Sequence, residues 1–287
     1  MSAIVFALAA YAGWGTGDIF GAIASRKMGG YSSTFWSFLF RAILFVPYLP
    51  LTLNGRHHVT LGSLFLSAFL ALILILGTIA FLEAFRNGSA SLVGTIGAAF
   101  VVPTVILSVL FLNESLTTPE VFAVLTIVVG LTLTTLDFRE LARGELFSDK
   151  SVPLALLAML SWGIYFSLVK IPVKEVGWFL PNYIAYLLAP VVLLVMKLRN
   201  IPLNSPDKHG SVLSLITFTL VGSVGNFSYN IGISKGYSSI VAPIAGAYPT
   251  LFVVLSYFIF GDKLNKQQLL GIVVSLAGIV ALGLTSV

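Results

Sequence analysis

Apolar runs long enough to cross a lipid bilayer recur along the whole chain, and no other feature constrains its fold as much. They cover roughly 3–24, 32–53, 61–85, 89–112, 119–136, 152–171, 178–197, 212–234, 238–260 and 267–285. About 20 helical residues span about 30 Å of hydrocarbon. Lipid offers no partner for backbone N–H and C=O groups, and barrel strands would be shorter and alternate in polarity, so each run reads as a helix. With 16 basic and 11 acidic residues among 287, and 57% hydrophobic content, the chain could not clothe a water-soluble surface. The sequence therefore predicts an all-α polytopic membrane protein with ten transmembrane helices. The N-terminus lacks a basic region ahead of its apolar run, which continues past Ile19, so it is expected to be the first span and not a cleaved leader. Cysteine is absent, which excludes disulfides and thiolate chemistry. The +5 net charge is dispersed among loops, where it sets topology better than it would bind nucleic acid.

Sliding the sequence by 148 residues reveals an internal repeat. Trp14-Gly15 falls on Trp162-Gly163, Gly77 on Gly225, Gly88 and Ser91 on Gly236 and Ser239, Glu114 on Asp262, and Gly130 on Gly278. Coincidences of Leu and Val mean little in such a composition, but Trp-Gly and isolated glycines at one offset do not arise cheaply. The expected organisation is a five-helix repeat over 1–136, a charged linker over 137–150 (DFRELARGELFSDK), and a second repeat over 151–287. Five is odd, so the second half must enter the membrane upside down. Inverted repeats of this kind place a solute site near the midplane between them.

The Trp-Gly at the start of each half, the segments NGSASLVGTIGAAFVVPTVILSVLFLNESLT and KGYSSIVAPIAGAYPTLFVVLSYFIFGDKL, and the closing VVGLTL and LAGIVAL carry a likeness. On these motifs the chain resembles the drug/metabolite transporter superfamily, in its ten-helix EamA-like branch. The resemblance runs over nearly the full length; the acidic residue followed by Leu after the fourth and ninth helices (Glu114, Asp262) is its more specific part. It implies secondary transport of small metabolites, often amino-acid export, through a cavity lined mainly by helices 1, 3, 4, 6, 8 and 9; no cofactor is expected.

Two indications of orientation disagree. If the N-terminal side is called side A, its loops hold 4 of the 16 basic residues (Arg56, Lys170, Lys174 and Lys235), those of side B hold 11, and Arg41 lies within a span. The positive-inside rule then places side B in the cytoplasm and both termini outside. The family likeness implies termini inside. The charge count is given more weight because it is read from this chain.

Asp18 lies about 6 Å past the centre of the first span, and Arg41 sits at similar depth in the second. A charge at such depth costs about 2.5–3.5 kcal/mol on insertion scales and commonly has a partner or a function. One reading is a structural Asp18–Arg41 salt bridge; the other places Asp18 in the cavity, as a proton-coupling carboxylate or an anchor for a substrate amine. Gly15-Thr16-Gly17-Asp18 also matches the GxGD of intramembrane aspartyl proteases, but no second aspartate lies within a span. Gly13, Gly17 and Gly21 form a small-residue ridge for a neighbouring helix, with Tyr11, Trp14 and Asp18 on the adjoining face.

In the eighth span Thr219, Ser223, Asn226 and Asn230 make a polar stripe beside Tyr229; the repeat-related positions in the third span retain only Thr78 as polar. Cavity lining and interhelical hydrogen bonding both account for it. Pro103 in the fourth span and Pro243, Gly246 and Pro249 around Tyr248 in the ninth are expected to bend or gate their helices. Trp162 and Tyr165 are assigned to the cavity wall with Trp14, whereas Tyr183 and Tyr186 read as interfacial anchors. Glu83 and Arg86 read as a rim pair. His57, His58 and His209 lack a third ligand, so no metal is expected, and no Walker loop is present.

These features predict a secondary active transporter, not an enzyme, moving small polar or amphipathic solutes by alternating access. Amino-acid-like solutes, with export favoured, lead by resemblance; protons are the candidate coupling ion. Sugar or nucleoside uptake is the rival within transport, and a non-transporting scaffold or receptor the rival outside it. The expected setting is the prokaryotic inner (cytoplasmic) membrane, as a monomer or homodimer, with solute and lipid as partners and no nucleic acid.

Overall fold

The computed structural model describes residues 1–53, 59–87, 90–136, 151–206, 211–261 and 263–286. The linker 137–150, Asp262 and the three histidines fall outside the described residues. Ten helical spans long and apolar enough to cross a membrane lie among the described residues. They are α1 (Ser2–Met28), α2 (Gly30–Thr52), α3 (Leu61–Asn87), α4 (Leu92–Leu112), α5 (Thr118–Thr135), α6 (Val152–Val176), α7 (Leu180–Leu198), α8 (Ser211–Lys235), α9 (Ser238–Phe260) and α10 (Lys266–Thr285).

Five of these spans, which the apolar pattern reads as continuous, are interrupted. Helix stops at Leu44 in α2, Ala98 in α4, Leu168 in α6, Tyr186 in α7 and Gly246 in α9. In each case a proline lies within the first turn of the piece that follows: Pro47, Pro103, Pro172, Pro190 and Pro249. Proline lacks the N–H that the ladder needs and its ring crowds the preceding turn, yet its fixed φ suits the start of a new helix. Pro103 and Pro249 thus mark breaks, as expected, while Pro243 is accommodated inside its helix.

Lipid is as apolar as a leucine side chain, so helices here associate by close packing. Small residues provide it. A Cβ added to Gly13 would lie 2.6 Å from the Gly225 nitrogen, and one added to Gly17 3.1 Å from that of Gly222. Gly13 and Gly17 therefore seat α1 on α8, and Gly21 meets the Phe218 ring below them.

The same contacts recur at the 148-residue offset. Trp14 covers Gly225 and Trp162 covers Gly77, their Cδ1 atoms 2.5 and 2.8 Å from the missing Cβ positions. Gly15 faces Leu251 while Gly163 faces Pro103, and Gly130 meets Ser275 while Gly278 meets Ile127. Partners in each pair exchange roles under the offset, as two-fold-related halves require. Each half crosses the membrane five times, so the halves are inverted.

Some expectations need correction. Lys170, counted as a loop cation, is only 5% exposed and lies 2.5 Å from the buried Glu114. Tyr183 and Tyr186, read as interfacial anchors, are 5% and 3% exposed within the bundle. The Glu83–Arg86 rim pair is present at 3.2 Å.

The crossing contacts predict a contrast. Gly130→Leu drives a side chain into the α10 backbone and is expected to lower stability by about 1–3 kcal/mol. Gly94→Ala meets nothing within 4 Å and is expected to be neutral. Thermal unfolding of the two detergent-solubilised variants checks this.

Candidate functional site

A cavity of about 290 Å³ lies between the halves, lined from α1, α2, α3, α4, α6, α7, α8 and α9. The resemblance implied six of these; α2 and α7 are added. Thr34 and Phe38 of α2, Leu82 of α3 and Phe218 of α8 are half-buried and lie toward the side B ends of their helices. Asn182, Tyr229 and Asn230, toward side A, are buried. These residues make the lining more enclosed toward side A, its floor, than toward side B.

Trp14 organises the floor. With no side chain at Gly225, the indole lies against α8 and its Nε1–H donates to Asn226 Oδ1 at 2.7 Å. The indole also stacks on Tyr229, with centroids 5.4 Å apart. Asn226 Nδ2 donates to the Tyr186 hydroxyl at 3.0 Å, and Asn182 Nδ2 donates to the Asn226 carbonyl at 3.0 Å. The Tyr165 hydroxyl completes the chain by donating to Asn182 Oδ1 at 3.3 Å. Four helices are joined by this network. Asn230 donates to the Trp178 carbonyl at 2.9 Å, and Tyr229 to the Phe166 carbonyl at 2.6 Å.

Arg41 is 4% exposed. Its Nε donates to Ser223 Oγ at 3.1 Å and the Thr219 carbonyl at 3.3 Å, while Nη2 donates to the Phe218 carbonyl at 3.2 Å. A side chain at Gly222 would put its Cβ 2.7 Å from Nη2, so that glycine makes room for the guanidinium. The cation also lies over the Phe218 and Tyr186 rings, at 4.9 and 5.5 Å. Nη1 is left without a protein acceptor among the described residues.

Asp18, one helical turn from Trp14, lines the same cavity. Its carboxylate forms no hydrogen bond or ion pair with a described residue; the ion pairs among these are Glu83–Arg86 and Glu114–Lys170. The Asp18–Arg41 salt bridge, one of the two readings of these residues, does not form: the guanidinium is directed onto α8, and the two charges interact only at longer range. The cavity holds an unpaired carboxylate and a cation with a spare donor edge.

Of the other expected residues, Thr78, Trp162, Tyr165 and Tyr248 line the cavity with those above. The Thr78 hydroxyl donates to the Leu74 carbonyl at 3.0 Å. Tyr11 and Ser223 do not reach the lining: Tyr11 pairs with Thr250 at 2.9 Å, and Ser223 supports Arg41 from beneath. Tyr248 and its repeat mate Phe100 sit at the breaks of α9 and α4, both on the cavity. Gly246 is pressed against Val101 and Phe100 of α4, and Pro103 against Gly163. Asn182, absent from the expected residues, and Tyr186, read as an anchor, both line the cavity. Their spacing of four, which puts both on one face of a helix, was the available signal.

A family model for EamA-like transporters matches the chain twice, over residues 1–136 and 149–284. The chain belongs to the EamA-like transporter family. A probable amino-acid metabolite efflux pump of Escherichia coli (strain K12) is 28% identical over 137 residues, which cover 47% of this chain and 43% of that protein. The match thus spans less than half of that relative. A crystal structure covering 99% of this chain, with 97% of its own length matched, superimposes with a TM-score of 0.79 at 14% identity. That likeness concerns the fold alone.

The network around Trp14 predicts that Asn226→Leu is costly. It leaves the indole N–H without its acceptor and the Tyr186 hydroxyl without its donor, at about 1–3 kcal/mol for each unsatisfied buried group. A lowered unfolding midpoint, with a change in tryptophan emission, is the expected result.

Proposed function

We propose that this chain is a secondary active transporter of small polar or amphipathic metabolites, with amino-acid-like zwitterions as the leading solute class. The observation that carries this reading is the cavity's charge arrangement. Asp18 and Arg41 both line the cavity, the carboxylate without a hydrogen bond or ion pair among the described residues and the guanidinium with Nη1 unengaged by them. An ammonium group suits the first and a carboxylate the second, while the aromatic wall of Trp14, Trp162, Tyr229 and Tyr248 accommodates the remainder. The name of the efflux-pump relative supports the same class. Sugar or nucleoside uptake is favoured less, because the Asn182, Asn226 and Asn230 amides are engaged with the protein itself.

Export from the cytoplasm agrees with the less enclosed side B end and the excess of basic residues on that side, in a prokaryotic inner membrane, by a monomer or homodimer. Protons are the proposed coupling ion and Asp18 their acceptor. Protonation removes the charge that holds the ammonium group, so proton and solute compete for one site. A scaffold without transport activity would not require this unpaired carboxylate.

Counterflow of labelled alanine or threonine against labelled glucose, in proteoliposomes across a pH step, tests the reading. Amino-acid flux with little glucose flux is expected, responding to pH. Asp18→Asn is expected to abolish the pH response and cut flux at least tenfold at unchanged expression; retained proton coupling would exclude Asp18 as the acceptor. Arg41→Gln is expected to raise the half-saturating concentration for amino acids about tenfold, leaving competition by primary amines that lack a carboxylate unchanged.

A further inference from the structure

Away from the cavity, the side A ends of three helices meet around one buried carboxylate. Asn113 adopts the left-handed conformation (φ 53°) at the end of α4, which turns the chain so that Glu114 drops back into the bundle. Glu114 Oε1 accepts from Lys170 Nζ at 2.5 Å and from the Ser238 N–H at 2.8 Å. Its Oε2 accepts from the Ser239 N–H at 2.8 Å and the Ser239 hydroxyl at 2.7 Å. Both serines are at the N-terminus of α9, where free N–H groups and the helix dipole favour an anion. Lys170 begins the second piece of α6, and its ammonium also donates to the Gly236 carbonyl at 2.7 Å.

Two further observations give this cluster a direction. Tyr229, on the cavity floor, donates to the Phe166 carbonyl, one turn before Lys170, so the cluster lies directly behind the side A end of the cavity. It also breaks the repeat. At the 148-residue offset Glu114 has an acidic mate in Asp262, but the position equivalent to Lys170 is Ala22. The first half thus has an alanine at the position where the second half has this lysine.

We propose that Glu114 and Lys170 form the side A gate, a charge-paired latch that ties α4 and α6 to the start of α9 and separates when the cavity opens to that side. Separation in a dry interior would strand two ions. Opening side A admits water to both, so the latch can part and re-form within a transport cycle. Closed, it holds the side A end of the cavity shut.

The inference rests on the alternating-access reading, but its test needs no solute, so a failed flux assay and a failed latch are separate results. The chain has no cysteine, so a single Ala185→Cys reporter on the cavity wall carries no background. In reconstituted vesicles a membrane-impermeant maleimide is expected to label this reporter from side B and scarcely from side A. Adding Glu114→Gln is expected to raise the side A labelling rate at least tenfold and to lower the side B rate. Should the lone Lys170 prevent folding, Glu114→Gln with Lys170→Met removes both charges and is expected to give the same shift. Side A labelling within twofold of the parent, in a variant still labelled from side B, would overturn the latch. So would failure of both variants to fold, which would assign the pair a purely structural role.

Discussion

The close crossing of α1 over α8 underlies the rest of this structure. Where Gly13 and Gly17 meet Gly225 and Gly222, the two backbones approach to a distance that any side chain would forbid. That approach does more than hold helices together in lipid. It lets the Trp14 indole lie flat against α8 and reach Asn226, and it leaves beside Gly222 the space that the Arg41 guanidinium fills. Interhelical packing and site geometry are thus one arrangement. The α3–α6 crossing repeats it with Gly77 under Trp162.

How much of this could be read from the residues follows from the physics of each feature. Spans were legible because hydrocarbon thickness sets a length and backbone hydrogen bonding permits helix alone. The inverted repeat was legible because glycines at close contacts tolerate no replacement and so kept their offset. Pro103 and the prolines around Tyr248 foretold two breaks; Pro47, Pro172 and Pro190 carry the same signal in α2, α6 and α7, but the apolar runs around them read as continuous. Asp18, Trp14, Asn226 and Tyr248 could be assigned to one pathway because polar groups in a span stand out against their surroundings.

What the sequence concealed was partnership. Arg41 and Asp18 share a depth, and opposite charges at one depth suggest a bridge, yet the guanidinium finds backbone carbonyls on α8 that no residue-type pattern advertises. Tyr186 looked like an anchor because span ends carry such rings; the break in α7 places it on the cavity instead. Lys170 looked like a loop cation for a similar reason, since the break in α6 carries it inward to Glu114. In each case an irregularity of the helix redirected a side chain.

The seam between α5 and α10 follows a different logic. Gly130 and Gly278 face the opposite helix's backbone reciprocally across the two-fold axis, and neither helix contributes a residue to the cavity. That seam joins the two halves at backbone contact while standing apart from the cavity wall. Its small residues therefore serve cohesion alone, and the solute-facing chemistry is left to the other eight helices.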